Sequence, residues 1–508
     1  LMARSITIAG ESISGAAKGM ATAEAVDMEI AFRADLDRLQ GTLMPGIAQV
    51  PPVAGQAKFA SAPVIPNNES SWDYQGKCDG NIRLIRAAGD SNLYIETHSK
   101  VSDFAIREQP GGQNTRPANA PSATNLIWSE PNVKVDGSIV YHTTDGAIDT
   151  KQLAVATDWI TTKLSGHAIW NEAQGDVKFT GPASIRMDAV AKQLSTLAGT
   201  QILLQGIHEA PIDVVAKRRP DGTTAFELKT NLGWESGEVA GVVFGASAIP
   251  ITMSETTVAI RDAVVPVDEG RITASADIHY MPGPMWIDVK PGVIAQNLRM
   301  TPELSDKWLQ YLAPMMAKAT RIDGTFGVEL AEAAVNLEEP MKSRVRGQLQ
   351  INQVNFDAGP VTNQLLSSIQ QIQMIAKGIS PDADTAAAEK NRNLSTLPTQ
   401  SVDFDFAGGI ITHQRMFMVI DKARVITSGQ VHVDGNLNLV TQVPLDAEWL
   451  GSDLKSLAGQ TVTLPISGTL SRPRLDPAAI RNLVTQLGTK AIQAEAENYL
   501  EKQFNRGL

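Results

Sequence analysis

The sequence predicts a mainly β protein built from antiparallel strands, and three observations support this. Apolar and polar residues alternate with period two in many short runs, most clearly over residues 431–439 (VHVDGNLNL). Turn signals such as Asp136-Gly137 and Asp221-Gly222 separate these runs at intervals of about 8–12 residues. Residues 194–211 and 454–473 also resemble each other, each with a Leu-Ala-Gly run followed by glycine and proline, which indicates a repeated β-module.

The alternating runs place apolar side chains on one face of each predicted strand. This pattern is strongest between residues 402 and 439, where polar residues occupy the intervening positions. The apolar positions of these runs are Val402, Phe404, Phe406, Met416, Met418, Val431, Val433, Leu437 and Leu439. Asp434-Gly435 interrupts the last run and indicates either a hairpin turn or a bulge.

Helices are predicted at only a few places. Thr301-Pro302 is a helix cap followed by proline at the first helical position, which predicts a short helix near 302–312. An apolar stripe predicts a second helix over 362–377. A third, amphipathic helix is predicted over 476–508, and residues 379–400 are predicted to form a loop.

These signals divide the chain into four predicted parts. Residues 1–60 form the end of an upstream β-module, and 61–216 form a complete one. Residues 217–475 form a C-terminal β-module that contains the two internal helices, and 476–508 form the terminal helix. Because the chain starts at Leu1 within an alternating run, we expect any targeting or anchoring segment to lie upstream.

Composition excludes several classes of partner. The net charge is −11 without a basic block, which argues against nucleic acid and against purely electrostatic binding to anionic membranes. Aromatic residues make up only 5% of the chain, so base-stacking or sugar-stacking platforms are not expected. Cys78 is the single cysteine, which rules out an internal disulfide.

Catalytic motifs are absent from the sequence. His432 and Asp434 share a predicted strand face and could bind a metal, but a solvated face is the simpler interpretation. Asp403 and Asp405 could form an acid pair, and here too exposed charges are the simpler interpretation. We therefore predict no enzyme activity, no metal and no cofactor.

Alternation alone leaves the tertiary arrangement open. Two sheets can bury their apolar faces against each other as a sandwich, which is the commoner solution. One strongly curled sheet can instead wrap the same residues around a trough of lipid size. The periodicity by itself favours the sandwich.

Several motifs are similar to the C-terminal region of the AsmA-like proteins of the bacterial envelope. The most specific is LPISGTLSRP at 464–473 followed by the predicted terminal helix. Others are VDFDF at 402–406, MFMVID at 416–421 and GQLQINQVNFDAGP at 347–360. The resemblance covers residues 340–508, and DTKQLAV at 149–155 extends it to 125–216.

This resemblance implies a long curled antiparallel sheet that forms an open apolar groove. It also implies a periplasmic protein, anchored to the inner membrane upstream of Leu1, that binds or conducts phospholipids between the two membranes. The nine apolar residues between Val402 and Leu439 would then line the groove and contact acyl chains. Further expected partners are envelope or outer-membrane proteins, with membrane contact through the anchor or the terminal helix. The alternative is a structural or assembly factor of the envelope without lipid cargo.

Overall fold

Antiparallel strands dominate the described chain, as the alternating sequence pattern predicts. The computed structural model describes residues 2–10, 12–22, 24–38, 71–109, 125–170, 175–220, 223–376, 394–420, 423–445 and 459–476. Few and short helices accompany the strands in these ranges. The prediction of a mainly β, antiparallel fold is therefore confirmed.

The first strands include the longest, and β5 and β6 reach 18 residues each. They are β1 Met2–Ala9, β2 Ile13–Ala21, β3 Val26–Asp35, β4 Ser71–Arg86, β5 Asn92–Gln109, β6 Asn125–His142, β7 Ala147–Ala156, β8 Ile160–Trp170, β9 Gly175–Arg186, β10 Ile202–Gln205, β11 Ile207–Arg218, β12 Thr224–Trp234, β13 Ser236–Val239 and β14 Val242–Phe244. The later strands are β15 Ser247–Ser254, β16 Thr257–Val267, β17 Gly270–His279, β18 Trp286–Val289, β19 Gly292–Arg299, β20 Ile322–Asn336, β21 Arg344–Asp357, β22 Leu394–Leu397, β23 Gln400–Ala407, β24 Ile410–Ile420, β25 Ala423–His432, β26 Asn436–Pro444, β27 Thr461–Thr469 and β28 Arg472–Leu475.

The strands follow one another as a meander. Of those described, 25 belong to one sheet, and β10, β13 and β14 form a separate sheet of 3 strands. From β1 to β9, each strand pairs antiparallel with the next in sequence. The same order holds from β23 to β28. Short connections between antiparallel neighbours explain why turn signals recur so regularly in the sequence.

The described parts of the two resembling segments pair differently, and the repeated module stays a prediction. In the second segment, Gly468 pairs with Pro473 across a tight hairpin between β27 and β28. In the first, Gly206 separates β10 from β11, and Pro211 lies inside β11 opposite Pro182. The strand after Gly199 is only four residues long and pairs with β13 in the small sheet. Similar local sequence therefore gives a hairpin in one segment and a change of sheet in the other.

The helices are few, and a local capping signal marks the start of one of them. The helical segment after β19 consists of Pro302–Leu304, a π turn at Ser305–Leu309, Gln310–Leu312 and a 3₁₀ turn at Pro314–Met316. It starts where the Thr301 side chain accepts a hydrogen bond from the Leu304 backbone N–H. Further helices are Met187–Ala198 and Pro360–Ala376, a 3₁₀ turn lies at Pro340–Lys342, and residues 36–38 are also helical.

Residues in contact divide the chain into two compact units. The first unit is Leu1–Val239, Phe244–Val264 and Ala274–Asp288, and the second is Ala240–Val243, Val265–Thr273 and Val289–Leu508. The sequence-based module limits at 60, 216 and 475 stay predictions. The predicted terminal helix over 476–508 lies outside the described residues, apart from Asp476.

One predicted loop contains a strand. Residues 379–400 are polar and alanine-rich, but Leu394–Leu397 forms β22, which pairs with the end of β21 and with β24. The buried Leu397 and Ser395 explain this, because they extend the packed face of the neighbouring strands. The sequence prediction used the composition of residues 379–400 as a whole, and this composition hid the strand at Leu394–Leu397.

Candidate functional site

The predicted lipid-facing residues lie in the second unit, and the structure brings most of them together on one buried face. Strand register aligns them, because Val402 pairs with Leu349, and Val431 pairs with Leu437. Side chains of paired residues in an antiparallel sheet point to the same side. The residues with an exposed fraction of 7% or less are Val402, Phe404, Met416, Met418, Val431, Leu437 and Leu439.

Two of the nine residues predicted to contact lipid are not fully buried. Phe406 is only half-buried near the end of β23. Val433 is 40% exposed, because β25 ends at His432 and Val433 enters the turn to β26. Asp434 accepts a hydrogen bond from the Asn436 backbone N–H at 2.9 Å, and Gly435 has φ of 86°. Asp434-Gly435 is therefore a hairpin turn, and the alternation over 431–439 spans two strands rather than one.

Helices cover the buried face of the second unit. Pro360–Ala376 contacts β28 and the turn Pro314–Met316, while Gln310–Leu312 contacts β24 and β25. Thr362 Oγ1 donates a hydrogen bond to the Met315 carbonyl at 2.7 Å, which fixes the two helical segments together. Leu309 and Leu365 are fully buried. The face is therefore packed like a protein interior and closed to solvent.

A histidine lies inside this packed face. His413 on β24 pairs with Phe404 and Gly429, and its Nε2 is 3.4 Å from Thr427 Oγ1. Its Nδ1 has no hydrogen-bond partner among the described residues. Burial lowers the pKa of His413 from 6.5 to about 4, because the apolar surroundings disfavour the imidazolium.

His413 is expected to make the chain sensitive to acid. Between pH 6.5 and about 4 the unfolded chain takes up a proton at this position while the folded chain does not, so stability falls as pH falls. At about 1.36 kcal/mol per pKa unit, the expected loss is about 3 kcal/mol across this range. Urea unfolding at both ends of the range tests this. His413→Leu should lose markedly less stability in acid than the wild type. Equal acid sensitivity of His413→Leu and wild type would contradict the assignment.

The first unit has an apolar face of a different kind. On β3, Met28, Ile30 and Phe32 lie on one side of the strand, opposite Leu84, Ile82 and Gly80 of β4. The same register continues strand by strand through β12. We refer to the following partly exposed side chains as the aliphatic face: Met28, Ile30, Phe32, Ile82, Leu84, Ile95, Val101, Val133, Val135, Ile139, Leu153, Val155, Leu164, Val177, Phe179, Val214, Phe226 and Leu228.

The opposite side of the same strands is charged and exposed. Asp27 and Glu29 alternate with the aliphatic residues of β3 and form ion pairs with neighbouring strands. Lys18 Nζ lies 2.8 Å from Glu29 Oε2, and His98 Nδ1 lies 2.8 Å from Asp136 Oδ1. One side of the sheet in the first unit therefore carries aliphatic side chains, and the opposite side carries charged ones.

Hydroxyl groups on the aliphatic face bond within the sheet. Thr150 Oγ1 donates to the Ser138 carbonyl at 2.7 Å, and Thr162 Oγ1 donates to the Pro182 carbonyl at 2.9 Å. Thr97 Oγ1 and Ser99 Oγ are 3.0 Å apart and hydrogen-bond to each other. Because these polar groups are satisfied locally, they do not require water on this side of the sheet.

Two glycines allow close approach of β8 and β9 on the aliphatic side. A Cβ atom on Gly166 would lie 2.0 Å from the Lys178 carbonyl oxygen, and one on Gly181 would lie 2.0 Å from that of Lys163. Neither contact is sterically possible, so only glycine permits this local backbone geometry. Sequence inspection could have found these positions, because both glycines fall on the apolar side of their strands.

A helix closes one end of the aliphatic face. Met187–Ala198 follows β9 and buries Met187, Val190 and Ala191, and Gln193 Nε2 donates to the Ser129 carbonyl at 3.1 Å. Beside it, Glu130 accepts a hydrogen bond from Trp128 Nε1 at 3.0 Å. Burial raises the pKa of Glu130. Sequence reasoning did not identify this cluster.

The two acidic residues considered as a pair from the sequence each contact a neighbouring polar side chain. Asp403 Oδ1 accepts a hydrogen bond from Gln348 at 2.7 Å, and Asp405 lies 3.2 Å from the Arg346 guanidinium. In the described part of the chain, no group of three or more His, Cys, Asp or Glu residues is arranged to bind a metal. Among the described helices, none has the length and apolarity needed to span a bilayer.

Comparison with known proteins gives no relative. No family model, no curated protein and no solved structure matches the chain. The similarity to the AsmA-like proteins therefore rests on the sequence motifs alone.

Proposed function

We propose that the first unit binds phospholipid acyl chains along its aliphatic face, as part of a non-enzymatic protein of the bacterial envelope. In this proposal the sheet forms an apolar groove, as the similarity to AsmA-like proteins implies. The protein conducts phospholipids between the inner and outer membranes and lies in the periplasm, held by an upstream anchor. The acyl chains contact the first unit rather than the buried residues of β23–β26.

The contrast in burial between the two units carries the proposal. In the second unit, the apolar face of strands with the same alternation is buried and helices contact β24, β25 and β28, whereas the aliphatic face of the first unit stays partly exposed. A large contiguous apolar surface open to water marks a binding surface in most soluble proteins. Removing apolar surface from water lowers the free energy by about 25 cal/mol per square ångström. Binding of a ligand that covers this face is therefore strongly favourable.

Acyl chains match this surface chemically. Transfer of an acyl chain out of water contributes about 0.8 kcal/mol per CH₂, and an aliphatic surface supplies this without any specific polar contact. The hydroxyls of Thr97, Thr150 and Thr162 are already bonded within the sheet and do not oppose this contact. Headgroups would remain in solvent, because the charged side of the sheet faces away from the chains.

A structural or assembly role in the envelope without lipid cargo is the second candidate. The packed core of the second unit supports it, since the residues first expected to contact lipid are closed to solvent there. The two candidates differ in whether lipid contacts the first unit.

Photo-crosslinking on both sides of one strand tests the proposal. Ile139 belongs to the aliphatic face, and the adjacent Ser138 is exposed on the opposite side of β6. With benzoylphenylalanine at each position, we expect phospholipid adducts at Ile139 in at least about tenfold excess over Ser138. Folded protein with equal adducts at both positions, or with none at Ile139, would favour the structural role.

A further inference from the structure

Two lysines lie directly opposite each other on the charged side of the first unit. Lys100 on β5 pairs with Lys134 on β6, so their side chains point to the same side of the sheet. Paired side chains of this kind have Cβ atoms about 4.5–5.5 Å apart, and like charges in such a pair destabilise the sheet. Both lysines are exposed, and neither forms an ion pair with another of the described residues. This part of the sheet therefore carries two adjacent positive charges without a direct counter-ion from the described chain.

The lysine pair borders a shallow, open depression of about 280 Å³. Asn81, His98 and Asp136 line it as the neighbouring row across the same three strands. His98 Nδ1 lies 2.8 Å from Asp136 Oδ1, so these two side chains bond to each other. Beyond Lys134, the next strand presents only the short side chain of Ala156. A ligand can therefore reach both ammonium groups from solvent.

A second carboxylate, that of Asp79, also lines the depression. Asp79 pairs with Lys100 on one side and with Arg33 of β3 on the other. The row formed by Arg33, Asp79, Lys100 and Lys134 thus carries three positive charges and one negative charge. Asp79 lies between the first two cations, and Lys134 ends the row two strands away from it. The end of the row at Lys100 and Lys134 therefore favours an anion.

A dianionic phosphate group matches this pair chemically. Each ammonium group can donate a charge-assisted hydrogen bond of about 2.7–2.9 Å to a different oxygen of a tetrahedral oxyanion. Lysine binds phosphate as a point charge on a flexible stem, so the two side chains can adjust to one anion between them. A phosphate monoester carries nearly two negative charges above pH 7, which neutralises both lysines and removes their repulsion. A diester carries one charge and neutralises only half of the pair.

We propose that Lys100 and Lys134 bind a dianionic phosphate group, free or as a monoester, on the charged side of β4–β6. The inference goes beyond the proposed function, because the site lies on the side of the sheet opposite the aliphatic face. It adds a second ligand of different chemistry to the first unit.

Calorimetric titration of the whole chain at pH 8 and low ionic strength tests the inference. The ligands are inorganic phosphate, the monoester glycerol 3-phosphate, and glycerophosphoglycerol, a diester that is a soluble lipid headgroup. We expect the diester to bind at least about fivefold more weakly than both dianions, which corresponds to about 1 kcal/mol. Lys134→Gln should weaken binding of inorganic phosphate by at least the same factor. Lys134→Glu should abolish it and raise the melting temperature, because glutamate would pair with Lys100 across the strands.

Lys178 supplies the matched control. It is exposed on the charged side of β9, but it pairs with His167 and Val215 and has no lysine opposite it. Lys178→Gln should therefore keep the wild-type affinity for inorganic phosphate. Absence of binding of either dianion by the folded wild type, or an unchanged affinity in Lys134→Gln, would overturn the inference. Equal binding of the diester would overturn the assignment to a dianion. Phospholipid binding by the aliphatic face should be the same in Lys134→Gln and wild type, so the two proposals fail separately.

Discussion

Ile139→Lys is expected to weaken phospholipid binding by the first unit at least about tenfold while the chain still folds. Ile139 lies near the middle of β6, paired with Ile95 on one side and Thr150 on the other. A lysine here places an ammonium group among aliphatic side chains, where an acyl chain would have to desolvate it. Because Ile139 is partly exposed, the lysine can reach water in the lipid-free protein, so we expect only about 1 kcal/mol of destabilisation.

The matched control for this substitution is Ser138→Lys on the charged side of the same strand. Equilibrium titration with a fluorescent phospholipid should give at least about a tenfold weaker affinity for Ile139→Lys and no change for Ser138→Lys. Circular dichroism and thermal unfolding should show that both variants are folded. Wild-type affinity in a folded Ile139→Lys variant would show that acyl chains do not contact this face.

Leu439→Asp is expected to unfold the second unit. Leu439 on β26 is fully buried, and it pairs with Gly429 on one side and Ile466 on the other. An unpaired carboxylate in this packed face loses its hydration and gains no partner, which costs several kcal/mol, about 3–5 by analogy with broken buried ion pairs. The adjacent Val440 is 42% exposed on the other side of the same strand. Val440→Asp should change stability by less than about 0.5 kcal/mol.

Hydrogen exchange by mass spectrometry distinguishes these two variants. In Leu439→Asp the amides of β25, β26 and β27 should lose protection, because their shared buried face is disrupted. Val440→Asp should retain wild-type protection throughout. Retained protection in Leu439→Asp would mean that this face tolerates a charge and is open to solvent, contrary to its burial.

Local sequence patterns identified the strands well, because alternation and turn chemistry act over a few residues. Thr301-Pro302 predicted a helix start that the structure contains, with the Thr301 hydroxyl as the cap. The helix predicted over 362–377 is observed as Pro360–Ala376. In contrast, Val433 followed the alternating pattern and still lies in a turn, since period two continues by chance across a tight hairpin.

What covers each apolar face could not be deduced from alternation. Phe404 and Ile139 both occupy apolar positions of alternating strands, but Phe404 is buried whereas Ile139 stays partly exposed. Whether an apolar face is covered depends on contacts between segments that are distant in sequence, such as those of Gln310–Leu312 with β24 and β25. Such contacts produce no periodic pattern in the sequence.

The amount of lipid that accompanies the purified chain tests the central claim most directly. The whole chain is purified under mild conditions, extracted with organic solvent, and its phospholipid is quantified by mass spectrometry against protein concentration. If the aliphatic face holds acyl chains, the extract should contain at least about one phospholipid per chain, since covering this apolar surface is strongly favourable. Folded protein that carries no lipid and also fails to take up added labelled phospholipid would contradict the claim.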